Sequence, residues 1–117
     1  MKKHTGGCHC KNVRYEVELD LTKPVIECNC SHCQMKGMLL SFVPESVFTL
    51  VSGKDDLSEY RFNKKKIAHL FCKHCGIQSF GKGENSDGTA MTAINVRSID
   101  DIDLATLNRT SFNGKEY

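Results

Sequence analysis

Apolar and polar residues alternate strictly near the start of the chain. Charged residues separate the apolar positions Val13, Tyr15, Val17 and Leu19. A period of two predicts a strand with one face in the core and the other in solvent. The turn residues at 22–24 end this strand, and the apolar residues at 25–28 predict a second one.

Short apolar segments separated by turn residues continue along the rest of the chain. They predict strands at 39–43, 47–51, 59–62, 67–71, 77–80 and 90–96. In the last strand we expect Met91, Ala93 and Val96 to face the core. Residues 31–36 and 98–101 predict single helical turns, and the glycine-rich residues 81–88 predict a loop. Because no segment has a longer helical period, the expected fold is mainly β, built of short antiparallel strands.

Length and charge narrow the class of protein. The 117 residues predict a single domain spanning 1–117, and Lys plus Arg number 16 against 14 for Asp plus Glu. This balance lacks the basic surface of a nucleic-acid-binding protein. The only charge run, Lys64–Lys66, is interpreted as the solvated tip of a hairpin. No apolar stretch approaches the roughly 20 residues of a membrane span, and no signal peptide is recognisable, so we expect a cytoplasmic protein.

Seven cysteines are the most informative residues of the chain. In a reducing compartment they are expected to be thiols or metal ligands and not disulfides. They fall into three tight groups, and a cysteine buried merely as a small apolar residue would not cluster in this way. The groups are Cys8-x-Cys10, Cys28-x-Cys30-x-x-Cys33 and Cys72-x-x-Cys75. Such spacing is typical of zinc sites, because a tight turn lets two sulfurs reach one ion.

Seven ligands divide naturally into four and three. The three cysteines at 28–33 lie close enough to form a self-contained three-point site. The other two pairs would join the beginning of the chain to its middle, which stabilises the fold most. We therefore assign a closed structural zinc ion to one set and an open catalytic zinc ion to the other. The structural set is Cys8, Cys10, Cys72 and Cys75, and the catalytic set is Cys28, Cys30 and Cys33. A set of Cys30, Cys33, Cys72 and Cys75 is the rival pairing.

The cysteine motifs and their neighbours resemble those of one family. The segments are Gly7-Cys8-His9-Cys10 with Val13-Arg14-Tyr15, Cys28-Asn29-Cys30-Ser31-His32-Cys33, Phe71-Cys72-Lys73-His74-Cys75-Gly76 and the closing Asn95-Val96-Arg97-Ser98-Ile99-Asp100-Asp101-Ile102-Asp103. Together they resemble the glutathione-dependent formaldehyde-activating enzyme family, also called the centromere protein V family. The chain departs from it at Ser98, where many members have a cysteine that is not a zinc ligand.

The resemblance implies a β-tent fold with two zinc ions. It implies the same division of ligands, with four cysteines on the structural ion and Cys28, Cys30 and Cys33 on the catalytic one. It also implies the reaction, which is the addition of glutathione to formaldehyde to give S-hydroxymethylglutathione. This reaction belongs with those of the carbon–sulfur lyases.

The charge of the three-cysteine site favours thiol chemistry. Three thiolates give a zinc ion a net charge of −1, so it acidifies water less than a zinc ion held by neutral histidines. Simple hydrolysis is therefore disfavoured. A substrate thiolate as fourth ligand would complete a four-sulfur shell and stay deprotonated near neutral pH. Glutathione is the thiol we expect, and Lys36 and Lys73 are candidates for binding its carboxylates.

An alternative function remains open at this point. If His32 or His74 closed the three-cysteine site, the protein would be a structural zinc module that binds protein or chromatin. Both histidines lie inside cysteine loops, where a solvent-facing position is the more common one. A zinc deaminase is excluded because the chain has neither a His-x-Glu nor a Pro-Cys-x-x-Cys motif.

Overall fold

Short strands in two sheets are the main secondary structure of the protein. The computed structural model describes residues 2–62 and 67–113. The strands are β1 (Lys2–Gly7), β2 (Arg14–Leu19), β3 (Val25–Cys28), β4 (Leu40–Pro44), β5 (Phe48–Ser52), β6 (Leu57–Tyr60), β7 (Ala68–Cys72), β8 (Phe80–Glu84), β9 (Ala90–Asn95) and β10 (Arg109–Phe112). The α-helix α1 (Ser31–Lys36) follows β3, and short 3-10 helices lie at Glu45–Val47, Lys54–Asp56, Val96–Ser98 and Leu104–Thr106. The predicted mainly β fold is confirmed.

The two sheets differ in size. The smaller has the order β1-β2-β5, and the larger has the order β10-β3-β4-β9-β8-β7-β6. The pairs are antiparallel except β10 and β3, which run parallel. This one parallel pair departs from the expected all-antiparallel arrangement. It brings a strand from the end of the chain alongside the strand that ends at Cys28.

The core lies between the sheets. Tyr15, Val17 and Leu19 of β2 are at most 2% exposed, so the alternation predicted for this strand is confirmed. The Tyr15 ring stacks on Phe48 of β5 at 5.6 Å and meets Phe80 of β8 edge-on at 6.4 Å. Aromatic contacts of this kind add to the stabilisation that comes from burying apolar area. They join the two sheets around β2.

Two predictions for the second half of the chain are wrong. β8 begins only at Phe80 and continues through residues predicted as a loop. Its glycines allow close strand approach, because a Cβ at Gly81 would lie 3.2 Å from the Ala68 carbonyl oxygen. Val96 is buried as expected, but Met91 and Ala93 are only partly buried. The fully buried residues of β9 are Thr92 and Ile94. Since both faces of β9 are covered, its apolar pattern does not indicate which face meets the main core.

The segment at 98–100 contacts the first two strands. The Tyr15 hydroxyl lies 2.7 Å from Ser98 Oγ, and Asp100 N–H donates to the Thr5 carbonyl oxygen at 2.8 Å. Arg14 and Asp100 form an ion pair across the same contact, with Arg14 Nη1 3.0 Å from Asp100 Oδ1. Ser98 therefore links β2 to the segment that precedes β8, through the Tyr15 hydroxyl and the Ser79 carbonyl oxygen.

Two sequence predictions concern the charge run and membrane spans. The charge run Lys64–Lys66 and the end of the chain from 114 onwards lie outside the described residues. No helix in 2–62 or 67–113 has the length and hydropathy needed to cross a membrane.

Candidate metal centres and the adjoining cavity

Four cysteine sulfurs converge at one end of the core. Cys8 and Cys10 follow β1, Cys72 ends β7, and Cys75 lies in the turn after it. All four sulfurs lie within 4.8 Å of one another. Cys10 Sγ is 3.5 Å from Cys8 Sγ and 3.6 Å from Cys72 Sγ. Two segments far apart in sequence are thus brought together at a single point.

Tight turns aim these sulfurs inward. After β1, the N–H of Val13 lies 3.3 Å from Cys8 Sγ, and that of Cys8 donates to the Val13 carbonyl oxygen at 3.0 Å. After β7, the N–H of Gly76 donates to the Cys72 carbonyl oxygen at 2.8 Å. Gly76 adopts the left-handed conformation, with φ of 81°, which costs glycine little. The N–H of His74 points at Cys72 Sγ at 3.4 Å. Such amide donors stabilise a thiolate.

The sulfur spacing fits a metal ion. Four sulfurs at 2.3 Å from a tetrahedral zinc ion would be about 3.8 Å apart. The observed separations of 3.5 and 3.6 Å are close to this value. They are far longer than the roughly 2.05 Å of a disulfide, and all seven cysteines are free thiols. The four sulfurs could therefore hold a metal ion in a closed four-thiolate site.

The second group is built around the start of α1. Cys28 ends β3, Cys30 caps the helix, and Cys33 lies in its first turn, with the three sulfurs within 4.8 Å of one another. Cys30 Sγ accepts from the Cys33 N–H at 3.3 Å, as an N-cap side chain does. The N–H of Cys30 in turn points at Cys28 Sγ at 3.5 Å. Three sulfurs leave one position of a tetrahedral ion open.

The three thiols of this group differ in burial and in pKa. Cys33 is 6% exposed, and burial raises its pKa. Burial also opposes ionisation of Cys30, but hydrogen bonds from the Cys33 amide and from the neighbouring Cys33 and Cys28 thiols outweigh it and lower the pKa of that thiol. Cys28 and Cys30 are half-buried. Cys28 and Cys30 therefore form the solvent-accessible side of the group.

A cavity of about 440 Å³ adjoins this side. It lies between β3, β10 and the end of α1, and Cys28 forms part of its wall. This volume is in the usual range of about 300–1,000 Å³ for small-molecule sites. Glu27, Arg97 and Arg109 line it together with amide side chains and the Phe112 ring. A ligand in the cavity would lie against Cys28 of the three-cysteine group.

Neither candidate histidine joins a sulfur group. His74 Nε2 lies 2.7 Å from Asp56 Oδ1. His32 packs among rings, with its centroid 4.2 Å from that of His69 and 5.3 Å from that of Phe62. Its Nδ1 is shielded and has no hydrogen-bond partner in the described part of the chain. The two clusters in 2–62 and 67–113 that could hold a metal ion contain cysteine alone.

The structure brings together the sulfurs in the four-and-three grouping expected from spacing. Within the described chain, the rival set of Cys30, Cys33, Cys72 and Cys75 does not converge. The roles of the two groups as structural and catalytic sites stay predictions.

The lysine candidates do not line the cavity. Lys36 Nζ instead contacts Gln78 Oε1 at 3.0 Å and lies 5.3 Å from the centre of the Phe71 ring. The cationic residues in the cavity wall are Arg97 and Arg109. Arg97 lies in the closing sequence motif at 95–103, so that motif offered a reason to consider it as a site residue. Arg109 could not be identified from the sequence, because the hydrophobic pattern does not reveal β10.

Comparison with known proteins matches this architecture to one family. Residues 3–113 match the family described as glutathione-dependent formaldehyde-activating enzyme. A crystal structure of a Rhodobacter sphaeroides protein is similar to this chain, with a TM-score of 0.79 and 27% identity. The similarity covers 92% of this chain and 97% of that one. The matched residues include both sulfur groups and the charged wall of the cavity.

Proposed function

Because the chain belongs to the glutathione-dependent formaldehyde-activating enzyme family, we propose that it joins the thiol of glutathione to formaldehyde. The product is S-hydroxymethylglutathione, and the reverse reaction is that of a carbon–sulfur lyase. The observation that carries this proposal is the cavity whose wall includes Cys28. The cavity has room for a small molecule beside Cys28, one of the three cysteines of the second group.

Both sulfur groups would hold zinc in this proposal. Cys8, Cys10, Cys72 and Cys75 would hold a structural ion, since four thiolates leave no position for a substrate. Cys28, Cys30 and Cys33 would hold the catalytic ion. A zinc ion there would supply one open position at which a thiol loses its proton near neutral pH. A reducing compartment such as the cytoplasm would keep these cysteines available as ligands.

The chain's own residues hold and orient the reactants. The amide N–H groups of Cys30 and Cys33 point at ligand sulfurs and fix the three-sulfur group on the helix start. The cavity wall receives the remainder of the thiol substrate beside Cys28. In the reaction, a bond forms between the thiol sulfur and the carbonyl carbon, and the C=O double bond becomes a single bond. The proton lost by sulfur ends on that oxygen, so the step needs no oxidant or reductant.

The test uses the protein with cobalt in the three-cysteine site. Glutathione should intensify the sulfur-to-metal charge-transfer band, because a fourth sulfur joins the metal. Its apparent affinity should weaken at low pH, since the thiol proton must leave before binding. S-methylglutathione has no thiol proton and should not produce the new band. With formaldehyde and glutathione, the zinc protein should speed equilibration with S-hydroxymethylglutathione, followed by NMR exchange.

The opposite result would favour a structural module. In that case glutathione would leave the cobalt spectrum unchanged, and replacing His32 or His74 by Ala would shift it. Their positions among aromatic rings and beside Asp56 argue against this outcome.

A further inference from the structure

Three charged side chains line the cavity beside Cys28. Among the described residues that form its wall, Arg97 and Arg109 are cationic and Glu27 is anionic. They come from three separate parts of the chain: the 3-10 helix at Val96–Ser98, β10 and β3. The proposed function assigns a role to the three-cysteine group but none to these three charged side chains.

Arg97 is held at the end of α1. Its Nε donates to the Gly37 carbonyl oxygen at 2.8 Å, and Gly37 is the residue that ends the helix. Within the described chain, its two Nη atoms have no protein acceptor. An arginine fixed through Nε and free at its outer nitrogens is oriented to bind a carboxylate.

Arg109 and Glu27 form an ion pair between β10 and β3. Their strands run parallel, and Arg109 Nη1 lies 3.1 Å from Glu27 Oε1. Both side chains are about half exposed, so the pair is accessible to a ligand. It presents a cation and an anion side by side. This arrangement complements the carboxylate and ammonium groups that an amino acid carries on one carbon.

The two charged regions lie towards opposite edges of β3, because Arg109 is on β10 at one edge of that strand and the segment after Gly37 leads into β4 at the other. Glu27 immediately precedes Cys28 in β3, whereas Gly37 lies at the far end of a helix about 9 Å long. Glutathione has the same order of groups. Its γ-glutamyl end carries a carboxylate and an ammonium, its thiol is central, and its glycine end carries a second carboxylate.

We propose that Arg97 binds the glycine carboxylate of the thiol substrate and that the Arg109–Glu27 pair binds its γ-glutamyl amino-acid end. This inference rests on the proposed function, and it assigns the selection of glutathione over small thiols to these three residues. The thiol of a molecule held at both ends lies beside Cys28.

The experiment compares three thiols on the cobalt-loaded protein. They are glutathione, γ-glutamylcysteine, which lacks the glycine carboxylate, and 2-mercaptoethanol, which lacks both charged ends. Each apparent Kd is read from the charge-transfer band. R97Q should weaken glutathione binding roughly fivefold to tenfold and leave the other two thiols unchanged. R109Q should weaken glutathione and γ-glutamylcysteine by a similar factor and leave 2-mercaptoethanol unchanged. The matched control is R61Q, since Arg61 pairs with Glu59 away from the cavity and should change no affinity.

The two variants test the proposal independently, so loss of folding in one leaves the other informative. Unchanged glutathione affinity in R97Q and R109Q would overturn the assignment. An equal loss for all three thiols would also overturn it, because the arginines would then act on the sulfur group and not on the substrate's ends.

Binding of S-methylglutathione, measured by calorimetry, separates this proposal from the reaction itself. That ligand keeps both charged ends but lacks a free thiol. If glutathione gave no cobalt band but both variants weakened S-methylglutathione binding, the charged sites would stand and the thiol reaction would fail. If the wild-type band appeared and neither variant changed any affinity, the reaction would stand and the charged sites would fail.

Discussion

Replacing one cysteine in each sulfur group should have very different effects on stability. Cys72→Ser removes a fully buried sulfur from the group that joins positions 62 residues apart, such as Cys10 and Cys72. Cys30→Ser removes a ligand from a group that spans only residues 28–33. Serine is also a good N-cap, so its hydroxyl can accept from the Cys33 N–H in place of the sulfur.

Loop length gives the size of the difference. The entropy of closing a loop rises with the logarithm of its length, so a 62-residue loop costs about 2 kcal/mol more to close than one of about five residues. If a metal ion holds each loop closed, the four-cysteine group therefore contributes about 2 kcal/mol more to the free energy of unfolding than the three-cysteine group does. For a domain of this size that corresponds to a melting temperature about 8 °C lower in Cys72→Ser than in Cys30→Ser.

The assay is thermal unfolding followed by circular dichroism, with metal content measured on the same samples. Cys30→Ser should remain folded with about one metal ion, whereas Cys72→Ser should be clearly destabilised or unfolded. Equal losses of stability, or a larger loss in Cys30→Ser, would show that the four-sulfur group does not join the distant segments as its geometry indicates.

Three further results are expected. Elemental analysis of freshly purified, metal-replete protein should give close to two zinc ions, and a single ion with the remaining thiols free would contradict two centres. Tyr15→Phe should cost about 1 kcal/mol in denaturant unfolding, because it removes the hydroxyl that contacts Ser98 Oγ at 2.7 Å; no change would mean that this bond is worth nothing net. Burial lowers the pKa of His69 to about 4, so the unfolded chain binds its proton first and stability falls as the pH drops from about 6.5 towards 4. His69→Phe should lose less stability than wild type between pH 7.5 and 5, and parallel pH profiles of the two proteins would refute this contribution.

The spacing of the cysteines was sufficient to predict the three tight groups, whereas the fold decided that Cys8 and Cys10 meet Cys72 and Cys75 and that the rival set does not form in the described chain. Two ligands that are two or three residues apart share one turn, so their relative positions depend on local backbone geometry. The turn at Cys72 and Gly76 and the helix start at Cys30 are such local units. The alternation in β2 could also be recognised from the sequence, because only one face of this strand meets the core and the apolar residues therefore keep a period of two.

The faces of β9 and the position of β8 depended on contacts with neighbouring strands. Ala93 faces a smaller apolar cluster while Ile94 faces the main core, so apolar residues occur at successive positions. A period of two is lost when both faces of a strand are covered. The glycines of β8 similarly indicated a loop, although close packing against β7 is what they permit.

The chain's sequence by itself determined the family, the mainly β class and the chemistry of the two sulfur groups, because these depend on residue types at short spacing. Only the tertiary structure decided which residues surround the cavity. Arg97 reaches Gly37 across 60 positions, and Arg109 reaches Glu27 across 82. Contacts between such distant residues follow from strand order, above all from the parallel pairing of β10 with β3, which no local pattern encodes.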